Sequence, residues 1–101
     1  MSGALQGRTA IITGANQGLG LEIARAYVRE GASVLLCARD ASILESAREA
    51  VAALAAPGQV VAAIPADVSQ PDDVARVVDQ ALARFPQLHV LVNNAGVYGP
   101  M

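Results

Sequence analysis

The chain runs to 101 residues, 53% of them hydrophobic and 16% charged. That is enough apolar content for a core and too little charge for a disordered chain, so it reads as one domain or less than one. A formal net charge of -2 from scattered acids, with no basic block and no interleaved aromatics, argues against a nucleic-acid or anionic-membrane partner.

The first residues lack a signal peptide's charged and apolar regions, and no apolar run has the length to span a bilayer, so a cytoplasmic location without a membrane partner is expected. Ala10, Ile11 and Ile12 then form an apolar run, and Leu19, Ile23, Ala26 and Tyr27 recur at helical spacing. Between them Thr13 to Gly20 reads Thr-Gly-Ala-Asn-Gln-Gly-Leu-Gly, which places three glycines in a tight turn from strand to helix. A helix begins with unpaired backbone N–H groups and a partial positive charge of roughly +0.5, so this turn can hold a pyrophosphate without a charged side chain. In dinucleotide-binding turns the first glycine permits the turn, the second the ligand's approach and the third close helix packing, roles that Gly14, Gly18 and Gly20 fit. The spacing departs from the common G-x-G-x-x-G, and an ordinary strand-to-helix turn is the alternative.

The first helix is predicted to end near Gly31, and Val34, Leu35 and Leu36 begin a second strand. Neither strand alternates with polar residues, as expected where both faces of a parallel sheet are covered. Cys37, the one cysteine, lies in the run Val34 to Ala38; it excludes an internal disulfide and reads as core packing. Asp40 or Ser42 can cap a second helix, with Glu45 as capping-box partner of Ser42. Its stripe is Ile43, Leu44, Ala47, Ala50, Val51 and Leu54, and Pro57 and Gly58 end it.

Val60 to Ile64 is a third, weaker strand, followed by the turn segment Pro65 to Val68. Ser69 is expected to open the third helix, with Pro71 in its first turn and Asp72 and Asp73 near its positive end. Val74, Val77, Val78, Ala81, Leu82 and Phe85 give it the cleanest periodicity in the chain, and Pro86 stops it. Leu88 to Val92 is the fourth strand, His89 reads as a strand-end residue without metal-ligand spacing to other donors, and Asn93-Asn94-Ala95-Gly96 follows directly.

The order β-α-β-α-β-α-β with short links predicts an α/β fold, a doubly wound parallel sheet with right-handed crossovers and strand order 3-2-1-4. Strands one and four are then neighbours at the reversal point, where ligands bind beyond the strand C-termini. Both the glycine turn and Asn-Asn-Ala-Gly would stand at that crevice. The fourth strand would be an edge and one helix would cover the second face, so the sheet is expected to be incomplete and the chain part of a larger protein.

With the glycine turn, Cys37-Ala38-Arg39-Asp40, Asp67-Val68 and Asn93-Asn94-Ala95-Gly96 assembled, the chain resembles the short-chain dehydrogenase/reductase superfamily in its classical subgroup. The resemblance runs from about Arg8 to Gly96. It implies a Rossmann-type NAD(P)-binding domain, of which residues 1–101 are the N-terminal portion. The implied activity is hydride transfer between the nicotinamide and a small alcohol or carbonyl substrate. It places Gly14, Asn16, Gln17, Gly18, Leu19 and Gly20 around the pyrophosphate and adenine ribose, Asp67 on the adenine amino group and Val68 against the base. Asn94, Ala95 and Gly96 would lie along the nicotinamide ribose, and Asn93 would tie the fourth strand to its neighbour. A homo-oligomer is expected of the complete protein.

An acid at the end of the second strand would accept the ribose hydroxyls of NAD, whereas this chain has Ala38 followed by Arg39, a forked donor suited to a 2′-phosphate. NADP(H) is therefore expected in preference to NAD(H). Asp40 is one place too far on and engaged by the helix cap; Gln17 stands where many NADP-preferring relatives carry a second basic residue, which tempers the preference.

The family's catalytic serine and Tyr-x-x-x-Lys lie after its Asn-Asn-Ala-Gly strand. Here all seven basic residues are arginine, so neither Tyr27 nor Tyr98 has the lysine that would lower its pKa. These residues alone are expected to be catalytically inactive, with no catalytic residue among them. The alternatives are a non-catalytic nucleotide-binding module or sensor completed by another chain and, more distantly, a methyltransferase-type domain.

Overall fold

Five consecutive buried residues, Thr9–Thr13, make β1 the centre of the molecule. The computed structural model describes residues 3–93. Around β1 the chain builds α1 (Gly18–Arg29), β2 (Ser33–Ala38), α2 (Ala41–Ala52), β3 (Val61–Pro65), α3 (Pro71–Arg84) and β4 (Val90–Asn93). The four strands form one sheet in the predicted order, β3-β2-β1-β4. Every pairing is parallel, with Ile12 beside Leu36 on one side and beside Val92 on the other. The fold is the Rossmann-like α/β arrangement.

Successive side chains along a strand point to opposite faces, and the core divides accordingly. Ala10, Ile12, Val34 and Leu36 pack with Ala24 and Val28 of α1 and Leu44 and Val51 of α2. Ile11, Leu35 and Cys37 pack with Val77 and Ala81 of α3 and with Phe85. Burial pushes the Cys37 thiol up to about 12, an effect that the positive charge of Arg76 offsets only in part. At neutral pH it is a protonated core side chain, as the sequence suggests.

The helix ends depart from expectation in detail. α1 closes at Arg29 with Gly31 at φ 100°, as predicted. The capping box of α2 does not form: Asp40 is the N-cap and accepts the Ile43 N–H at 3.0 Å, while Ser42 donates to Asp40. Glu45 pairs instead with Arg48, one turn along the exposed face. α2 also stops at Ala52, which leaves Leu54 beyond the helix, and Ile43 within it is exposed, so neither adds much to its packed face. Its following loop is closed by the Gln59 side chain, which donates to the carbonyls of Val28 and Ala32 and accepts the Ala56 N–H. The N-cap position of α3 is Gln70, which makes no side-chain capping bond, rather than Ser69, which is turned back onto Asp67.

The strand bounds shift for a plain reason: a strand lasts as long as its ladder. β3 runs one residue later than predicted because Pro65 pairs with Ala38. β4 starts at Val90, opposite Ala10, rather than at Leu88. His89 stands just outside it, its ring Nδ1 accepting the Thr9 N–H at 3.2 Å and its main-chain N–H donating to the Thr9 carbonyl at 3.1 Å. Ring and main chain of His89 together fasten the approach to β4 onto β1. Among the described residues no helix is long and apolar enough to cross a membrane.

Candidate functional site

The glycine turn stands at the C-terminal end of β1. Gly14 and Gly18 have φ of 64° and 59°, a conformation that side-chain-bearing residues seldom adopt, which is why glycine stands at both positions. Among the described residues, a Cβ placed on Gly18 would meet no atom within 4 Å beyond its chain neighbours and its own helix backbone, which leaves space over the turn for a ligand. The Ala15 N–H donates to the Cys37 carbonyl at 3.2 Å and ties the turn to β2. Gly20 is a buried residue of the first turn of α1, whereas Leu19 is 67% exposed and Asn16 is half-buried.

The start of α1 differs from those of α2 and α3. Gln17, its N-cap, makes no side-chain capping bond, and its first turn holds no acid. α2 has the Asp40 carboxylate, and α3 has Asp72 and Asp73 in its first turn. The positive end of α1 is thus neutralised by no side chain of its own, and the first-turn amides are suited to an anion.

The second part of the site lies where β2 and β3 end. Arg39, Pro65, Ala66, Asp67 and Asp73 line an open cleft of about 250 Å³. The Ala66 N–H donates to the Ala38 carbonyl at 2.9 Å, which holds the two strand exits together. Asp67 Oδ1 accepts the Ser69 hydroxyl at 2.6 Å and the Ser69 N–H at 2.9 Å. These bonds, with a smaller pull from Arg39, hold its carboxyl below the usual carboxylate range. Asp40 is held low by the Ile43 N–H first and the Ser42 hydroxyl second. Its Oδ1 serves the helix start, accepting both the Ile43 N–H and the Ser42 hydroxyl, while Arg39 lines the cleft at the exit of β2.

The sequence-predicted residues thus fall into two groups, Gly14 to Gly20 at the mouth of α1 and Arg39 with Asp67 in the cleft, with Val68 half-buried beside it. The ladder sets Asn93 beside Thr13, as expected for a residue joining β4 to its neighbour. Asn94, Ala95, Gly96 and Tyr98 lie outside the described residues. Asp73 was read from sequence only as an acid at a helix start, yet it lines the cleft and accepts the Asp67 N–H at 2.7 Å. A bond between residues six apart leaves no periodic trace.

A family model described as short chain dehydrogenase matches residues 8–101. The chain belongs to the short-chain dehydrogenase family. It is 42% identical over 93 residues to 11-beta-hydroxysteroid dehydrogenase 1A of Arabidopsis thaliana, which covers 92% of this chain and 26% of that protein. It is 38% identical over 97 residues to 1-deoxy-11-beta-hydroxypentalenate dehydrogenase of Streptomyces exfoliatus, covering 96% of this chain and 34% of that one. The structure of L-sorbose reductase from Gluconobacter frateurii, complexed with NADPH and L-sorbose, superposes with a TM-score of 0.87 at 34% identity, over 98% of this chain and 37% of the reductase. The short-chain dehydrogenase chain described here spans well under half the length of these relatives.

Proposed function

We propose that this chain forms the nucleotide-holding part of an oxidoreductase that uses NADP(H) in preference to NAD(H) and acts on an alcohol or carbonyl group. The observation that carries the cofactor preference is the exit of β2: Arg39 lines the cleft, and the acid that follows it in sequence, Asp40, accepts the Ile43 N–H through Oδ1. A guanidinium favours a 2′-phosphate, whereas a free carboxylate there would favour the bare ribose diol.

The donor set fits such a cofactor. The uncapped start of α1, with open space over Gly18, suits a diphosphate; Arg39 suits the ribose phosphate; the Asp67 carboxylate suits an exocyclic amine. When bound, the nicotinamide supplies the hydride chemistry. The part of these residues is to hold and orient the nucleotide; with no lysine in the sequence to pair with a tyrosine, they are inactive by themselves in this reading. The NADPH present with L-sorbose reductase supports the cofactor class.

Arg39→Ala in the intact protein is expected to weaken NADPH binding about ten- to a hundredfold, the worth of one charge-assisted hydrogen bond, with NADH binding nearly unchanged. Fluorescence titration with both cofactors reads the difference. Equal losses for the two would refute the preference.

A further inference from the structure

The segment from Pro65 to Asp67 forms the β3 side of the cleft and is held at three successive main-chain groups. Arg76 Nη2 donates to the Pro65 carbonyl at 2.8 Å. The Ala66 N–H goes to the Ala38 carbonyl, and Asp73 Oδ2 accepts the Asp67 N–H at 2.7 Å. Asp73 and Arg76 are themselves an ion pair across one helical turn, at 3.4 Å. Two side chains of α3 therefore grip both ends of a segment that α3 follows in sequence.

The grip bears on one carboxylate. Asp67 Oδ1 is occupied by the hydroxyl and N–H of Ser69, which leaves Oδ2 as the oxygen able to accept from a ligand. With the main chain fixed by Asp73 and Oδ1 fixed by Ser69, the direction of Oδ2 is set before any nucleotide arrives. A carboxylate held in this way loses little freedom on accepting a donor, which favours binding.

We infer that Asp73, steadied by Arg76, is a positioning residue for recognition of the base: it holds Asp67 so that its second carboxylate oxygen meets the exocyclic amine of adenine. This rests on the dinucleotide reading above. It differs from a simple helix-start bond in its consequence, because a bond that only steadied α3 would leave the choice of base unaffected.

The test compares NADPH with its hypoxanthine analogue, in which a carbonyl replaces the exocyclic amine, in titrations of the intact protein. The wild type is expected to prefer NADPH by about ten- to a hundredfold. Asp73→Ala lowers that preference by about tenfold, whereas Asp73→Asn, whose amide oxygen can still accept the Asp67 N–H, keeps it within about twofold. In the nucleotide-free protein, hydrogen exchange at the Asp67 amide quickens in Asp73→Ala and not in Asp73→Asn. An Asp73→Ala protein that weakens both cofactors equally, or an Asp73→Asn protein that behaves like it, overturns the positioning role while leaving the dinucleotide site intact. A wild type that binds neither nucleotide removes the site itself, and one that binds both equally well removes the role of Asp67; either overturns this inference as well.

Discussion

The two faces of the sheet are made from alternate residues of the same strands, yet they are finished to different degrees. On the side of α1 and α2, Ile12 and Leu36 of the sheet and Leu44 and Val51 of α2 are fully buried between the sheet and its two helices. On the other side α3 is the one covering helix among the described residues; it buries Val77 and Ala81, but Val74, Val78 and Leu82 remain exposed. Leu91 of β4 points to this second face between Val90 and Val92, which pack on the first, and it is 64% exposed. α3 nevertheless carries the cleanest apolar periodicity in the sequence. Periodicity records which side chains could be buried together; burial itself requires a surface opposite them, and here the stripe is wider than the sheet beneath it.

The largest expected effect tests the finished face. Leu36→Ala is expected to cost about 2–5 kcal/mol of stability in denaturant unfolding, since the side chain is fully enclosed and its removal leaves a cavity. A loss below about 1 kcal/mol would mean that this face is loosely packed and relaxes around the lost side chain.

Asp40→Ala comes next, because it removes the cap of a helix on the finished face. The melting temperature is expected to fall by a few degrees at neutral pH. The Ile43 N–H and Ser42 hydroxyl hold the carboxyl low in the fold, so folding favours its ionised form. That stabilisation is complete above the ordinary aspartate pKa of about 4 and is lost as pH falls through the lowered value. Thermal curves of wild type and variant should therefore converge in acid; a gap that stays constant would rule out the carboxylate as its source.

Leu82→Ser probes the other face and should change stability least, by about 0.5 kcal/mol or less, because the side chain is 56% exposed. A loss as large as that of Leu36→Ala, measured in the intact protein, would reveal that something covers this face there.

Strand order, the turn at Gly14 to Gly20 and the arginine at the exit of β2 were legible in the sequence, because each depends on residue type at a local position. Glycine at a positive φ and unbroken apolar runs carry their own signal. The helix starts were read only in part: of the two caps expected for α2, Asp40 is the one used, its carboxylate reaching the Ile43 N–H, and the capping box of Ser42 with Glu45 is not. Ser69 looks like a helix cap and instead serves Asp67. The grip of Asp73 on Asp67 was invisible, since it joins a side chain to a main-chain group across a turn. The start of β4 was misplaced for a related reason: Leu88 is apolar because it packs beside the α3 cluster, while strand pairing waits for Val90.

The buried thiol of Cys37 has a practical consequence. It is the only cysteine in the sequence, and its enclosure and raised pKa keep it from forming the thiolate through which labelling reagents react. Within these residues, a reporter dye or spin probe attached through a cysteine introduced on the surface would thus react ahead of the native thiol.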